Sequence, residues 1–150
     1  MTIQDQSRTH RMPVTGSYRF MVELDGMLAG GFSEVQGLQI ETELEEVFEG
    51  GLNQYSHRLP KKTKLQPLVL KRGITVSSEL WNWYANVIEG TIVRKSGSVI
   101  LFDEHYHELR RWNFYEAYPY KWKGPELNAS RSEVAVESVE LVHNGLKETS

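Results

Sequence analysis

Short stretches of the chain alternate hydrophobic and polar residues, and this period of two is typical of half-buried β-strands. The alternation predicts seven strands, at residues 18–24, 28–35, 38–48, 65–72, 91–102, 108–118 and 133–143. The apolar positions of the last strand change phase near Ser138, which indicates a β-bulge there. Pro67 has no N–H to donate to a ladder, so its strand is expected at an edge or beside a bulge.

One segment follows the helical period instead. Ser77 is the expected N-cap, and Glu79 places a negative charge in the first turn, where the helix dipole favours it. Gly90 is expected to end the helix in a left-handed conformation. The apolar stripe that should anchor this helix to the core consists of Leu80, Trp83, Tyr84, Val87 and Ile88.

The order of these elements contains no β–α–β alternation. It therefore predicts a mainly β fold, an antiparallel β-barrel or β-sandwich with one α-helix packed on its outer side. The length of 150 residues is that of a single domain. We expect a flexible N-terminal arm at residues 1–16, a single domain at residues 17–146 and a C-terminal tail at residues 147–150.

The strand at residues 38–48 has two chemically different faces. An apolar face that should pack on the core carries Leu38, Ile40, Leu44 and Phe48, and an acidic face carries Glu41, Glu43 and Glu45. Residues 52–63 are polar and basic without alternation, which predicts a long loop. Loops of this length in a compact domain are often functional.

Composition narrows the class of protein. With 39% hydrophobic and 25% charged residues, the chain is expected to be globular. A net charge of -3 argues against a nucleic-acid binder with a basic face, and the absence of cysteine excludes thiolate metal sites and disulfides. The first residues lack the apolar core of a signal peptide, and no apolar run is long enough to span a bilayer. We therefore expect assembly in the cytoplasm and no membrane anchor.

Residue patterns that carry catalytic chemistry are absent from most of the chain. It contains neither a phosphate-binding glycine loop nor a nucleophile elbow. His105 and His107 would point the same way on a strand and could chelate one metal ion, but segment 103–108 is also typical of a solvated turn. We expect no catalytic residue, no metal site and no cofactor, and hence a protein that is not an enzyme.

Five segments follow one another in a characteristic order: GFSEVQGL, LKRGIT, SSELWNW, RWNFYEAYPYKWKGPELNA and EVAVESVELVHNGL. Between residues 18 and 146 they resemble the tail tube family, the inner tube proteins of contractile phage tails and of phage-tail-like contractile injection systems. The resemblance implies a barrel-like subunit with an outer helix, six of which form a ring. Rings would stack into a rigid tube that sheath contraction drives through a target envelope, and the tube would conduct DNA or effector proteins.

The resemblance also implies partners and places for them. The partners are further copies in a homo-hexamer, a contractile sheath protein, baseplate or tube-initiator proteins, and luminal cargo. In such a ring the acidic face of strand 38–48 would line the lumen as a negative band formed by Glu41, Glu43 and Glu45. The predicted loop at residues 50–64 would contact the neighbouring ring through Tyr55, His57, Arg58, Lys61 and Lys62.

Two alternatives share part of this pattern. A tube protein of a type VI secretion system has the same fold. A small β-barrel enzyme or ligand carrier would instead use His105 and His107. A main-shaft subunit and a baseplate-proximal initiator would both carry the five segments.

Overall fold

The computed structural model describes residues 19–25, 27, 31–48, 56–132 and 134–149. Within these ranges the chain forms nine β-strands and one α-helix. In chain order they are β1 (Arg19–Leu24), β2 (Phe32–Gln36), β3 (Ile40–Phe48), β4 (Ser56–Leu65), β5 (Leu68–Gly73), α1 (Glu79–Ile88), β6 (Lys95–Phe102), β7 (Glu108–Lys123), β8 (Val136–Val142) and β9 (Gly145–Thr149). The expected N-terminal arm and Tyr55 lie outside the described residues.

Two antiparallel sheets that share their longest strand form the body of the molecule. The first half of β7 lies in a sheet of order β1–β6–β7–β9, and its second half lies in a sheet of order β7–β8–β5–β2. Glu116, with a φ of 52°, lies where β7 passes from one sheet to the other. Among the described strands no pairing closes the sheets into a barrel, so the antiparallel sandwich is the predicted architecture that is found.

The hydrophobic core joins residues from both sheets and from α1. Leu80 and Trp83 of the helix are buried in it, and α1 packs on β7. Full burial of a large apolar side chain contributes about 1.5–3 kcal/mol before the loss of conformational entropy is subtracted. The largest fully buried core side chains include Val22, Leu68, Leu70, Leu80, Phe114, Val139 and Leu141.

Helix α1 confirms the predicted element and corrects its first residue. Its N-cap is Ser78 rather than Ser77, although the Ser77 hydroxyl accepts a hydrogen bond from the Glu79 N–H at 3.4 Å. Gly90 follows the helix with a φ of 89°, as predicted. Of the expected apolar stripe, Leu80 and Trp83 are buried, Tyr84 and Val87 are half-buried, and Ile88 is 63% exposed. Ile88 is therefore not a core anchor in the single subunit.

A buried ion pair explains why the predicted bulge at Ser138 is not found. Burial alternates regularly along β8, with Glu137, Val139 and Leu141 facing inward. Arg72 Nε donates to Glu137 Oε1 at 2.8 Å, and both side chains are about 95% buried. Trp122 Nε1 donates to the other carboxylate oxygen at 3.2 Å. These partners allow a glutamate, Glu137, to occupy an inward-facing position of β8. In the sequence this polar residue interrupts the apolar alternation, which is why the pattern suggested a change of phase.

Two segments that the alternation did not predict as strands form strands. Residues 56–65, most of the predicted loop, form β4 and pair with β3. Residues 147–149, expected to belong to a tail, form the second part of β9 and pair with β7. Every described side chain of β4 from 57 to 64 is exposed, so no core selects the alternation that reveals a strand in sequence.

Candidate assembly surface

Strands β3 and β4 form a two-stranded antiparallel hairpin that continues a ladder of the body. Gln36 pairs with Val69, and four residues further along each strand Ile40 pairs with Leu65, so both ladders keep one register. Three residues on each strand, 37–39 and 66–68, lie between the last pair of one ladder and the first pair of the other. Among the described strands, β3 and β4 pair only with each other.

Gly37 shapes the junction between the body and the β3–β4 hairpin. Its φ of 94° lies in the left-handed region, and a Cβ atom at this position would lie 2.0 Å from the carbonyl oxygen of Pro67. The Gln39 N–H donates to the Gly37 carbonyl at 2.8 Å, and the Gln66 N–H donates to the Gln39 carbonyl at 3.5 Å. Close backbone approach therefore defines where the hairpin leaves the body.

One face of the hairpin, the apolar face, is exposed in the single subunit. Side chains of directly opposed residues in an antiparallel ladder point to the same side. The apolar face consequently carries Ile40, Leu44, Phe48, Pro60 and Leu65. Ile40 is 49% exposed, Leu44 58% and Phe48 73%. The prediction that this side of β3 packs on the core of its own subunit is wrong, since the hairpin stands clear of that core.

The opposite face, the charged face, carries both signs of charge. Thr42 pairs with Thr63 and Leu44 with Pro60, so Lys61 and Lys62 both lie opposite Glu43 in a bulge. Lys64 Nζ lies 2.7 Å from a Glu43 carboxylate oxygen. The hydrogen bond to Glu43 raises the pKa of Lys64 above its usual value. The sequence predicted a band of glutamates alone, whereas β4 supplies lysines beside them.

The two predicted functional sets come together on this hairpin. Glu41, Glu43 and Glu45 share the charged face of β3. The described members of the expected ring-contact loop, His57, Arg58, Lys61 and Lys62, lie on strand β4. Arg58 is opposite Glu46, and its Nε lies 3.7 Å from the Glu46 carboxylate. This pair lies on the apolar face, whereas His57 lies on the charged face. A signal for this pairing was present in the sequence, because a basic segment follows an acidic strand of similar length.

The histidine pair lies in a turn between β6 and β7. Asp103 Oδ1 accepts hydrogen bonds from the backbone N–H groups of His105 and His107, each at 2.8 Å. The N–H of His107 is the main reason that the pKa of Asp103 lies below its usual value. Among the described residues no group of three or more potential ligands is close enough to hold a metal ion. The two hydrogen bonds to Asp103 make segment 103–108 a turn, which is one of the two interpretations that the sequence allowed.

Comparison with known proteins identifies the family to which the chain belongs. A family model described as T4-like virus tail tube protein gp19 matches residues 16–147. The chain belongs to this tail tube family. It is therefore a structural subunit of the tube of a phage tail or related injection particle, and not an enzyme. No described helix has the length and apolar character required to cross a membrane.

Solved structures share the fold of this tail tube protein. A chain of the anti-feeding prophage baseplate, solved with six-fold symmetry, has 23% identity and a TM-score of 0.80, covering 91% of this chain and 95% of that one. A chain of the sheath–tube complex of an extracellular contractile injection system, PVC, has 23% identity and a TM-score of 0.81, covering 100% and 99%. A type six secretion system protein reaches a TM-score of 0.57 at 10% identity, covering 86% and 81%. Among curated proteins no sequence matches significantly.

Proposed function

We propose that six copies of this tail tube protein close into a ring and that rings stack into a hollow tube. The anti-feeding prophage baseplate, which contains a chain of the same fold, was solved with six-fold symmetry. Strands β1 and β2 each pair with a single described strand, so each offers a free backbone edge to a neighbour. The observation that carries the proposal is the exposed apolar face of the β3–β4 hairpin, because a face of this kind is normally covered in an assembly.

The apolar face packs on the neighbouring subunit in this proposal. Leu44 and Phe48 are mostly exposed, and burying such side chains contributes about 1.5–3 kcal/mol each. Because more than half of each side chain is exposed in the single subunit, burying the rest against a neighbour would stabilise the assembly. The hairpin would then join subunits in the way that a strand joins a sheet.

The charged face turns toward the water-filled lumen. Charged side chains keep their hydration there, whereas burial against protein would require a partner for each of them. Glu41, Glu43 and Glu45 line the lumen, and the lysines of β4 lie among them. Such a mixed lining attracts neither cationic nor anionic cargo strongly, which suits the passage of DNA or effector proteins without adhesion.

Contacts between rings use the distal part of β4, with Tyr55 beyond its described end. His57 and Arg58 are exposed there, and Lys61 and Lys62 are exposed in the middle of the strand, where they belong to the charged face and would reach the next ring from the lumen side. Ring stacking therefore depends on charge and weakens with salt. The outer surface, which carries α1, faces a contractile sheath, and one end of the tube meets a baseplate. The PVC chain of the same fold belongs to a sheath–tube complex, which supports this arrangement over a type VI secretion tube.

A pair of double variants tests the role of the hairpin. Leu44→Ser with Phe48→Ser removes apolar area from the apolar face, and Leu127→Ser with Val134→Ser removes it from exposed positions outside the hairpin. We expect the hairpin variant to remain folded, because neither residue lies in the core. Its concentration for half-maximal ring formation should rise at least about tenfold, which is the effect of about 1.4 kcal/mol per contact.

Sedimentation velocity across protein concentrations gives the readout, and circular dichroism verifies folding. The control variant should assemble at the concentration of the wild type. Rings that form equally well in both double variants would contradict the proposed hairpin contact.

A further inference from the structure

A groove lies at one end of the sheet β7–β8–β5–β2, and the β3–β4 hairpin leaves the same sheet at the other end. Gly73 and Val136 pair at the end that carries the groove. The hairpin begins beyond the last pair of the opposite end, Gln36 with Val69. This end groove has a volume of about 240 Å³, and the residues that line it include Lys71, Lys123, Glu126, Val134 and Val136.

Backbone contacts fix the walls of the end groove. The Ile74 N–H donates to the Ala135 carbonyl at 2.9 Å, which extends the pairing of the two strands beyond the end of β5. A Cβ atom at Gly124 would lie 2.9 Å from Cη2 of Trp122, so the backbone after β7 passes close to the indole. The indole is itself held by its hydrogen bond to Glu137. The end groove is therefore built on the folded sandwich.

The end groove offers two charges of opposite sign beside apolar surface. The side chains of Lys123 and Glu126 have no hydrogen bond or ion pair with any other residue that the structure describes. Lys71 differs from them, because its Nζ lies 3.4 Å from a Glu34 carboxylate oxygen. Val134, which lines the same groove, is 80% exposed. When a partner covers this apolar surface, water leaves it, and ion pairs formed there are stronger than on an open surface.

The distal part of the hairpin carries the complementary pair of charges. Glu46 and Arg58 lie opposite each other, with Arg58 Nε 3.7 Å from the Glu46 carboxylate, and both side chains are at least half exposed. Since a strand rises about 3.3 Å per residue, Glu46 lies roughly 20 Å beyond Ile40, the first residue of β3. The pair thus projects from the end of the sheet that is opposite to the end groove.

A projection at one end and a groove at the other favour contact between copies of the same chain. Within one subunit the hairpin cannot reach the end groove, because the length of the sheet lies between them. The two contacting surfaces differ, so the contact is heterologous, and heterologous contacts that do not close on themselves build filaments. The occupant is therefore a second copy displaced along the strand direction, as a subunit of the next ring would be.

We propose that the end groove of one subunit binds the distal part of the β3–β4 hairpin of a subunit in the next ring. Lys123 pairs with Glu46, and Glu126 pairs with Arg58, so each charge of the hairpin meets the opposite charge in the groove. The contact joins rings and therefore rests on the proposed function. Leu44 lies nearer to the body and packs within the ring, so a change in the end groove should weaken stacking and leave ring closure unchanged.

Reversal of one charge tests this contact. Lys123→Glu replaces attraction for Glu46 by repulsion, and Lys147→Glu makes the same change of net charge at an exposed position of β9, outside the end groove. Sedimentation velocity separates single rings from stacked rings. In Lys123→Glu we expect normal rings and a concentration for half-maximal stacking that rises about tenfold at low salt, which corresponds to about 1.4 kcal/mol summed over a ring. The Lys147→Glu control should stack like the wild type.

Two further measurements depend on the partner residue. Adding Glu46→Lys to Lys123→Glu restores opposite charges across the contact, so stacking should return toward that of the wild type. In stacked wild-type rings a carbodiimide, which joins a lysine to a carboxylate in direct contact, should link Lys123 to Glu46 of another copy, as mass spectrometry would show.

Normal stacking of Lys123→Glu, or stacked wild-type rings without this cross-link, would overturn the inference and leave the proposed ring intact. A wild type that forms no rings at any concentration would contradict the proposed function and this contact together.

Discussion

Gly37 and Gly31 have similar backbone conformations but different surroundings. Their φ values are 94° and 77°, so alanine at either position adopts the left-handed region at a cost of about 1–2 kcal/mol. A Cβ at Gly31 would meet nothing within 4 Å, whereas a Cβ at Gly37 would lie 2.0 Å from the Pro67 oxygen. Only Gly37 therefore combines conformational freedom with close backbone approach.

We predict that Gly37→Ala lowers the free energy of unfolding by about 1–3 kcal/mol more than Gly31→Ala, because the junction of the hairpin must open to admit the methyl group. Urea denaturation at concentrations below assembly measures both variants. If both variants lost the same free energy of unfolding, the backbone at Pro67 would move aside for the methyl group without destabilising the protein, which would contradict the prediction.

Single residues also explain where sequence reasoning failed. Alternation assumes that inward positions are apolar, and Glu137 violates this assumption because Arg72 and Trp122 satisfy its carboxylate inside the body. Nothing adjacent in sequence reveals these partners, since Arg72 lies 65 residues away. The pattern therefore suggested a bulge at Ser138 where β8 is regular.

The apolar stripe of helix α1 contains both buried and exposed side chains, and shortening them to alanine should change the stability of the protein by different amounts. Leu80 is fully buried, so Leu80→Ala should lower the free energy of unfolding by about 2–5 kcal/mol through lost burial and the cavity left behind. Ile88→Ala should change it by less than about 0.5 kcal/mol, because the side chain is already 63% exposed.

Guanidinium denaturation of the two helix variants measures this difference. If Ile88→Ala lowered the free energy of unfolding as much as Leu80→Ala, Ile88 would be a core residue, as the helical spacing predicted. Neither substitution disturbs the helix itself, because alanine has the highest helix propensity.

Most elements that contact the core could be predicted from the sequence, and so could β3, which alternates although it lies clear of the core. Helix α1 and the strands from β5 to β8 each bury one side, so the periodicity of their apolar residues indicates them. Strand β4 has no buried side, and its lysines look like a loop. The glutamates of β3 were assigned to one face correctly, but the lysines that share this face became visible only when β4 was placed beside it.

The molecule combines a sandwich that contains the core with a hairpin that pairs with none of the other described strands. The hydrophobic core lies within the sandwich, and an exposed ion pair joins Arg110 of β7 to Glu148 of β9 at its surface. The order of five sequence segments predicted the tail tube family, and the family model that matches residues 16–147 confirms it. The exposure of the apolar face was not predicted, because alternation shows that one side of a strand is apolar without showing which chain covers it.

Cryo-electron microscopy of the purified full chain, across protein concentrations, tests the central claim most directly. We expect hollow tubes built from six-fold rings, with Phe48 of each subunit buried against its neighbour and Glu41, Glu43 and Glu45 facing the lumen. Rings in which the β3–β4 hairpin stands free in solvent, or a monomer at every concentration, would contradict the account.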